Sequence, residues 1–240
     1  HRPFRRQRQM CIRDSLMAEE PHPTTKVSDC SLLTDCVSIQ WIHDLPKVTN
    51  QFGLLSPQQV RHHHIAEGQD PLPDVTVIAL EGIPDWQGGV PDSFDIYTDG
   101  SVPKLEDKAS WGFTILAVKD QITYLYGAMH GLMALSGRVC AQAKTCSTSS
   151  ELGGLTWALL WSLSTAQHVP TAFYTDSTSA IGLAIGHFKP AREGLLPELA
   201  AALFRYRATQ CNTTCTHVKA HNGHPWNELA DWLAAVPHYH

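Results

Sequence analysis

Apolar and polar side chains alternate regularly only from residue 92 onward, and the alternation first follows the two-residue period of half-buried strands. Turn residues separate three such stretches, which predict strands over 94–100, 110–118 and 122–129. Because the connections between them are short, we expect these strands to form an antiparallel meander.

Helical and strand-like patterns then take turns along the chain. Leucines from Leu152 to Leu163 recur at helical spacing after Ser149 and Ser150, which we expect to cap the helix. The remaining pattern predicts a strand over 171–175, a helix through 181 and 185, a helix over 195–208, a strand over 213–218 and a helix over 225–235. This order, three strands followed by α-β-α-α-β-α, predicts a mixed α/β domain over 92–237.

The first 91 residues lack such periodicity. Residues 1–16 are rich in arginine and are predicted to be a disordered or non-native leader. Residues 17–91 are predicted to be an extension or linker, in which only 37–42 and 75–80 have the pattern of short strands or helix fragments. The sequence leaves open whether this extension is a folded tether, the remnant of another domain or unstructured chain.

Composition narrows the classes of protein that this pattern allows. Of the 240 residues, 43% are apolar and 17% are charged, which suits one ordinary core with an appendage and excludes a disordered acidic protein. No apolar run approaches the roughly 18 residues that span a membrane, so we expect no membrane association. Seven cysteines without a signal peptide predict reduced thiols and an intracellular location, in the cytoplasm or nucleus.

Four acidic residues stand at or near the ends of predicted elements. Asp99 lies at the end of the first strand, Glu151 in the first turn of the long helix, Asp176 at the end of the fourth strand and Asp231 on the last helix. Each has an ordinary explanation alone: a tight turn, a charge at a helix terminus, a helix cap and an exposed helix face. In a mixed sheet, however, strand ends and helix starts at one edge face a common crevice.

Carboxylates gathered in such a crevice repel one another, and hard divalent cations such as Mg²⁺ offset that repulsion. Two ions about 4 Å apart can activate a water and stabilise the leaving oxygen of an in-line displacement. The pattern therefore predicts a metal-dependent site for phosphodiester hydrolysis.

Four short segments carry a more specific signal than spacing does. They are Tyr-Thr-Asp-Gly-Ser at 97–101, Ser-Glu-Leu at 150–152, Tyr-Thr-Asp-Ser at 174–177 and VKAHNGHPWNELAD at 218–231. Together they resemble type 1 ribonuclease H domains, which are found both as free enzymes and at the end of retroelement reverse transcriptases. The resemblance covers residues 94–235 and implies a ribonuclease H-like fold: a five-stranded mixed sheet, with three antiparallel strands followed by parallel strands, flanked by helices.

The resemblance also implies roles for individual residues. Asp99, Glu151, Asp176 and Asp231 would be the catalytic carboxylates and would bind two Mg²⁺ ions, for which Mn²⁺ could substitute. His221 would be the mobile histidine that assists water activation or product release. The implied substrate-binding residues are Gly100, Ser101, Thr148, Ser177 and Asn227. We expect His224 to hold the turn before the last helix.

Two functions are compatible with this resemblance. One is hydrolysis of the RNA strand of an RNA/DNA hybrid, with a reverse-transcriptase domain as a possible partner in cis or in trans. The alternative is a catalytically idle module of a retroelement polyprotein that serves a structural or nucleic-acid-docking role. Because a mere scaffold has no physical reason to keep four mutually repelling carboxylates, their presence favours the enzyme.

Three features depart from the pattern of the family. The interval between Asp99 and Glu151 is long, with the excess in a predicted loop over 131–147, and no dense run of Lys and Trp precedes the fifth strand. The net charge of -5 likewise provides little general attraction for nucleic acid. Ser147 and Thr148 stand where the family often has Asn near the substrate 2′-hydroxyls, which weakens the expectation of strict RNA-strand selection.

Overall fold

A computed structural model of the protein describes residues 53–103, 109–133, 146–189 and 195–239, without the side chain of Leu195. The predicted leader over 1–16 and the fragment over 37–42 lie outside these residues, as does most of the predicted loop over 131–147. The predicted extension over 17–91 is described from residue 53 onward.

The order of the elements after residue 92 is the one that the periodicity predicts. The strands are β1 (Ser93–Ser101), β2 (Ser110–Lys119), β3 (Ile122–Leu132), β4 (Thr171–Thr175) and β5 (Thr213–His217). The helices are α1 (Pro57–Arg61), α2 (Asp74–Gly82), α3 (Ser147–Thr165), α4 (Thr178–Ala184), α5 (Leu195–Gln210) and α6 (Pro225–Ala235), and a 3₁₀ turn (Val236–His238) follows α6. Strand β3 continues beyond its predicted end at residue 129, into the start of the predicted loop.

The five strands form one mixed sheet in the order β3-β2-β1-β4-β5. Strand β2 pairs antiparallel with both β1 and β3, whereas β4 pairs parallel with both β1 and β5. The predicted fold class, a five-stranded mixed sheet flanked by helices, is therefore confirmed. Because β1 and β4 are parallel neighbours, their carboxyl ends lie at the same edge of the sheet.

Each face of the sheet has its own hydrophobic core. Alternation along β1 directs Phe94 and Ile96 into the core that α3 and α5 cover, and Tyr97 into the core that α6 covers. Helix α3 is buried on most sides, because its residues are mainly leucines, small residues and tryptophans that pack on the sheet and on α5. The sheet thus lies between two helical layers.

Helix α3 begins earlier than the serine pattern predicts. It starts at Ser147 with Cys146 as its N-cap, and Ser149 reaches back to accept a hydrogen bond from the Cys146 N–H at 2.9 Å. The sequence does not predict a helix start at this residue, because cysteine is not a usual capping residue. One consequence is that Glu151 lies in the second turn of the helix rather than the first.

The described part of the extension contains two short helices. Helix α1 begins with a capping box: the Ser56 hydroxyl accepts from the Gln59 N–H at 3.3 Å, and the Gln59 side chain accepts from the Ser56 N–H at 2.9 Å. The apolar run over 75–80 lies within α2 and is helical. Residues 53–91 therefore have regular structure of their own.

One buried arginine fastens α5 to the C-terminal end of α3. Arg207 is fully buried, and its guanidinium donates to the carbonyl oxygens of Ala166 at 2.8 Å, Gln167 at 2.6 Å and Val169 at 2.7 Å. These carbonyls follow the last turn of α3, where backbone acceptors lack partners within the helix. A planar group with several fixed donors suits this position.

We expect Arg207→Met to lower the free energy of unfolding by about 3 kcal/mol, since several buried or partly buried acceptors would each lose one donor at once. Urea denaturation followed by circular dichroism measures this loss. Arg205→Met is the matched control, because Arg205 is an exposed residue of the same helix. Equal stability losses in the two variants would contradict the assigned role of Arg207.

Candidate functional site

Two acidic side chains meet where strand β1 touches helix α3 backbone to backbone. A Cβ atom at Gly100 would lie 2.2 Å from the carbonyl carbon of Ser150, and a Cβ atom at Gly154 would lie 2.6 Å from the carbonyl oxygen of Asp99. Only glycine at both positions allows this approach. Asp99 and Glu151 are consequently held side by side, with only 4% and 8% of their surfaces exposed.

Asp176 reaches the same edge of the sheet through the parallel pairing of β1 and β4. Tyr97 of β1 pairs with Tyr174 of β4. Asp99 lies two residues after Tyr97, and Asp176 lies two residues after Tyr174. The helix that begins here is capped by Ser177, whose hydroxyl accepts from the Ala180 N–H at 3.2 Å. The N-cap residue of α4 is therefore Ser177 and not Asp176.

The three carboxylates converge closely enough to share a cation. Each of Asp99, Glu151 and Asp176 offers one carboxylate oxygen, and these oxygens lie within 4.8 Å of one another. The buried Oε2 of Glu151 has no hydrogen-bond partner among the described residues. A set of oxygen donors with one unsatisfied member suits a hard divalent cation such as Mg²⁺, so these residues fit the metal that the sequence predicts.

Burial and mutual repulsion disfavour the charged forms of these carboxyls. The pKa of Asp99 is raised well above its usual range, chiefly by burial and then by the charges of Glu151, Asp231 and Asp176. The pKa of Glu151 is also raised, again chiefly by burial, with the charges of Asp176 and Asp231 adding to the effect. The four carboxylates thus form one electrostatic cluster, although Asp231 lies on a different helix.

A second group of possible metal ligands lies on helix α6 and in the loop before it. The Nδ1 atom of His221 lies 3.9 Å from a carboxylate oxygen of Glu228 and 3.9 Å from one of Asp231. His221 has a positive φ of 47°, a conformation that is uncommon for a residue with a side chain and that occurs often at functional sites. Its side chain is 55% exposed and can therefore be reached from solvent.

Glu228 is the residue that sequence reasoning missed. Its carboxylate lies 3.9 Å from the His221 Nδ1 atom, and only 13% of its side chain is exposed. The available signal is its spacing, because Glu228 precedes Asp231 by three residues and so shares a face of α6 with it. That spacing is common on exposed helices. The functional importance of Glu228 is apparent only from the loop conformation that brings His221 next to it.

The residues that the family resemblance implies to bind substrate lie on several different elements. Gly100 adjoins the cluster and donates its N–H to the Asp99 carboxylate at 2.7 Å, while Ser101 is the last residue of β1. Thr148 is half-buried in the first turn of α3, and the Ser177 hydroxyl caps α4 as described above. Asn227 is only 3% exposed, and its Oδ1 has no partner among the described residues.

The residue before α6 is fixed by aromatic stacking. The His224 ring stacks on Tyr97 with centroids 4.8 Å apart, and Tyr97 stacks in turn on Tyr174 at 4.6 Å. Burial in this stack lowers the pKa of His224. His224 is also the N-cap residue of α6, so the stack ties the start of that helix to the two strands that lead to Asp99 and Asp176.

A comparison with family models identifies the family to which this sheet topology and its acidic edge belong. The RNase H model matches residues 91–237, more than half of the chain. The chain belongs to the RNase H family. Among curated protein sequences, none matches this chain.

No helix in the described part of the chain is long and apolar enough to cross a membrane.

Several solved structures are similar to this chain at low sequence identity. RNase H1 from the halophilic archaeon Halobacterium salinarum NRC-1 is 16% identical, with a TM-score of 0.45 over 59% of this chain and 94% of its own. The N-terminal RNase H domain of rv2228c from Mycobacterium tuberculosis, in a fusion with maltose-binding protein, is 14% identical, with a TM-score of 0.45 over 60% and 94%. LC11-RNase H1 in complex with an RNA/DNA hybrid is 18% identical, with a TM-score of 0.44 over 60% and 98%.

The raised pKa values predict how the stability of the metal-free protein depends on pH. The folded protein holds protons on Asp99 and Glu151 that the unfolded chain releases at the usual carboxyl pKa, so unfolding becomes easier as the pH rises. This contribution to stability is complete below a pH of about 4 and is lost as the pH passes the raised pKa values. We expect Asp99→Asn to flatten the decline and to raise the melting temperature above neutral pH.

Thermal melts in a chelator over a series of pH values test this expectation. Glu81→Gln is the control, because Glu81 is an exposed carboxylate on α2, away from the cluster. An Asp99→Asn protein whose melting temperature follows pH as steeply as the wild type does would contradict the electrostatic account of the cluster.

Proposed function

We propose that this chain is a metal-dependent endoribonuclease that hydrolyses the RNA strand of RNA/DNA hybrids. The observation that carries the proposal is the convergence of Asp99, Glu151 and Asp176 within 4.8 Å at the edge of the sheet, in a chain of the RNase H family. The similar LC11-RNase H1 was solved with an RNA/DNA hybrid, which supports the same substrate class here.

Asp99, Glu151 and Asp176 would hold divalent cations, and Asp231 would complete the set from α6. Two Mg²⁺ ions, or Mn²⁺ in their place, would offset the repulsion of the carboxylates and stabilise the charge that develops on the scissile phosphate. The protein's contribution is rigid placement, because the backbone contact between β1 and α3 fixes two of the carboxylates before any ion arrives.

His221 is proposed to move protons at the edge of this site. Asp231 and Glu228 both face its Nδ1, which would orient the ring and leave Nε2 to exchange a proton with water or with the leaving oxygen. Gly100, Ser101, Thr148, Ser177 and Asn227 are proposed to position the hybrid, and Asn227 would do so from below the surface because it is buried.

The net charge of -5 limits how strongly the chain attracts a hybrid by itself. We therefore propose that a partner such as a reverse-transcriptase domain, in cis or in trans, contributes part of the affinity for the hybrid. The expected setting is a reducing intracellular compartment.

The wild-type chain is expected to cut a labelled RNA/DNA hybrid in the RNA strand only, with Mg²⁺ or Mn²⁺ and not with a chelator. RNA/RNA and DNA/DNA duplexes of the same sequence test the strand selection. Asp176→Asn should lower the rate more than about 100-fold, because even residues that only support metal ligands cost up to that much. Glu81→Gln is again the matched control and should cut as the wild type does.

A folded Asp176→Asn protein with full activity would contradict the assignment of the site. A folded wild-type protein that cuts none of the duplexes with either metal and binds no Mg²⁺ would instead favour the alternative, a catalytically idle module with a structural or docking role.

A further inference from the structure

The N-terminal segment, residues 53–91, lies almost entirely outside the part of the chain that the RNase H model matches. It nevertheless pairs with the edge strand of the sheet. Leu55 and Ala128 exchange two backbone hydrogen bonds, of 2.9 and 3.1 Å, and Leu125 bonds to the backbone of Pro84 and Trp86, both at 2.9 Å. These bonds satisfy groups on β3 that an unprotected edge would leave open.

The sequence of β3 is matched to this pairing. A Cβ atom at Gly127 would lie 2.5 Å from the carbonyl oxygen of Leu55, so any larger residue would push the segment away from the strand. The contact therefore depends on a specific residue of the RNase H domain as well as on the segment.

The segment also completes the hydrophobic core on the α6 side of the sheet. Val60 and Leu80, with 1% and 4% of their surfaces exposed, pack in one cluster with Tyr97 and Trp232. Arg61 fastens the two helices of the segment to each other, because its guanidinium donates to the carbonyls of Leu80 and Ile83 at 2.9 Å and pairs with Asp85. Helix α2 of the segment packs on α6, and helix α1 packs on β3.

Two side-chain hydrogen bonds join the segment to α6 on either side of the residues that face the site. The buried Thr76 hydroxyl donates to the carbonyl oxygen of Pro225, the first residue of α6, at 3.1 Å. The Trp232 Nε1–H donates to the carbonyl oxygen of Asp70 at 2.8 Å. Glu228 and Asp231 lie between these two attachment points.

We propose that the N-terminal segment positions the site: by holding α6 at Pro225 and Trp232, it keeps Asp231 and the His221 loop beside Asp99 and Glu151. Thr76 of the segment and Trp232 of α6 are the positioning residues. This inference rests on the proposed function. It means that residues before 91, where the RNase H match begins, are also needed for full activity.

Thr76→Val and Trp232→Phe in the full chain test the proposal, because each removes one donor and keeps most of the side-chain volume. For each variant we would measure kcat and KM on the hybrid, and the Mg²⁺ concentration that gives half-maximal activity. Losing one hydrogen bond should lower kcat and raise that Mg²⁺ concentration by about three- to tenfold, with KM for the hybrid little changed.

Thr171→Val is the matched control for a purely structural loss. Thr171 is also buried, and its hydroxyl bonds to Val169 and Arg207 at the end of β4 that lies away from the site. We expect this variant to be destabilised at least as much as Thr76→Val, with kcat within about twofold of the wild type. Equal changes in kcat and in Mg²⁺ dependence for Thr76→Val and Thr171→Val would overturn the proposal.

Hydrogen exchange separates this inference from the proposed function, because it needs no activity. Amide protection over 225–235 should fall in Thr76→Val and Trp232→Phe, relative to protection over 195–210 in the same proteins. Unchanged protection over 225–235 in both variants would overturn the inference, whatever the enzyme does. Lowered protection in a chain that cuts no hybrid would support the placement of α6 and contradict the proposed function.

Discussion

The repulsion between carboxylates that cannot move apart is the constraint on which the rest of the structure depends. Gly100 and Gly154 bring the backbones of β1 and α3 into direct contact, which fixes Asp99 and Glu151 beside each other in a buried position. Because both side chains are buried, little water screens this repulsion, and protonation or a bound cation relieves it. The glycines therefore determine the electrostatics of the site as well as its shape.

Helix α6 connects this site to the remainder of the molecule. Its buried side covers the second core, and its first turn is held to β1 by the stack of His224 on Tyr97. Its other face brings Glu228 and Asp231 to His221. The position of the fourth carboxylate thus depends on packing far from the sheet edge, including packing by residues that precede the RNase H match.

Much of this arrangement could be predicted from the sequence, because alternation and helical spacing are strong over 92–237. The positions of Asp99 near the end of β1 and of Asp176 directly after β4 follow from that pattern. The start of α3 could not be predicted, since Cys146 is an unusual cap, and the relevance of Glu228 depends on a loop conformation. The N-terminal segment has short helices and scattered apolar residues such as Val60 and Leu80, whose burial arises only from tertiary contacts.

Calorimetric titration of Mg²⁺ into the full chain, beside the same titration into Asp99→Asn, tests the central claim most directly. The account predicts saturable binding to the wild type and its loss or marked weakening in the variant, because Asp99 lies at the centre of the cluster. Absence of binding to a folded wild type, or equal binding by the two proteins, would contradict the claim that the buried carboxylates form a metal site.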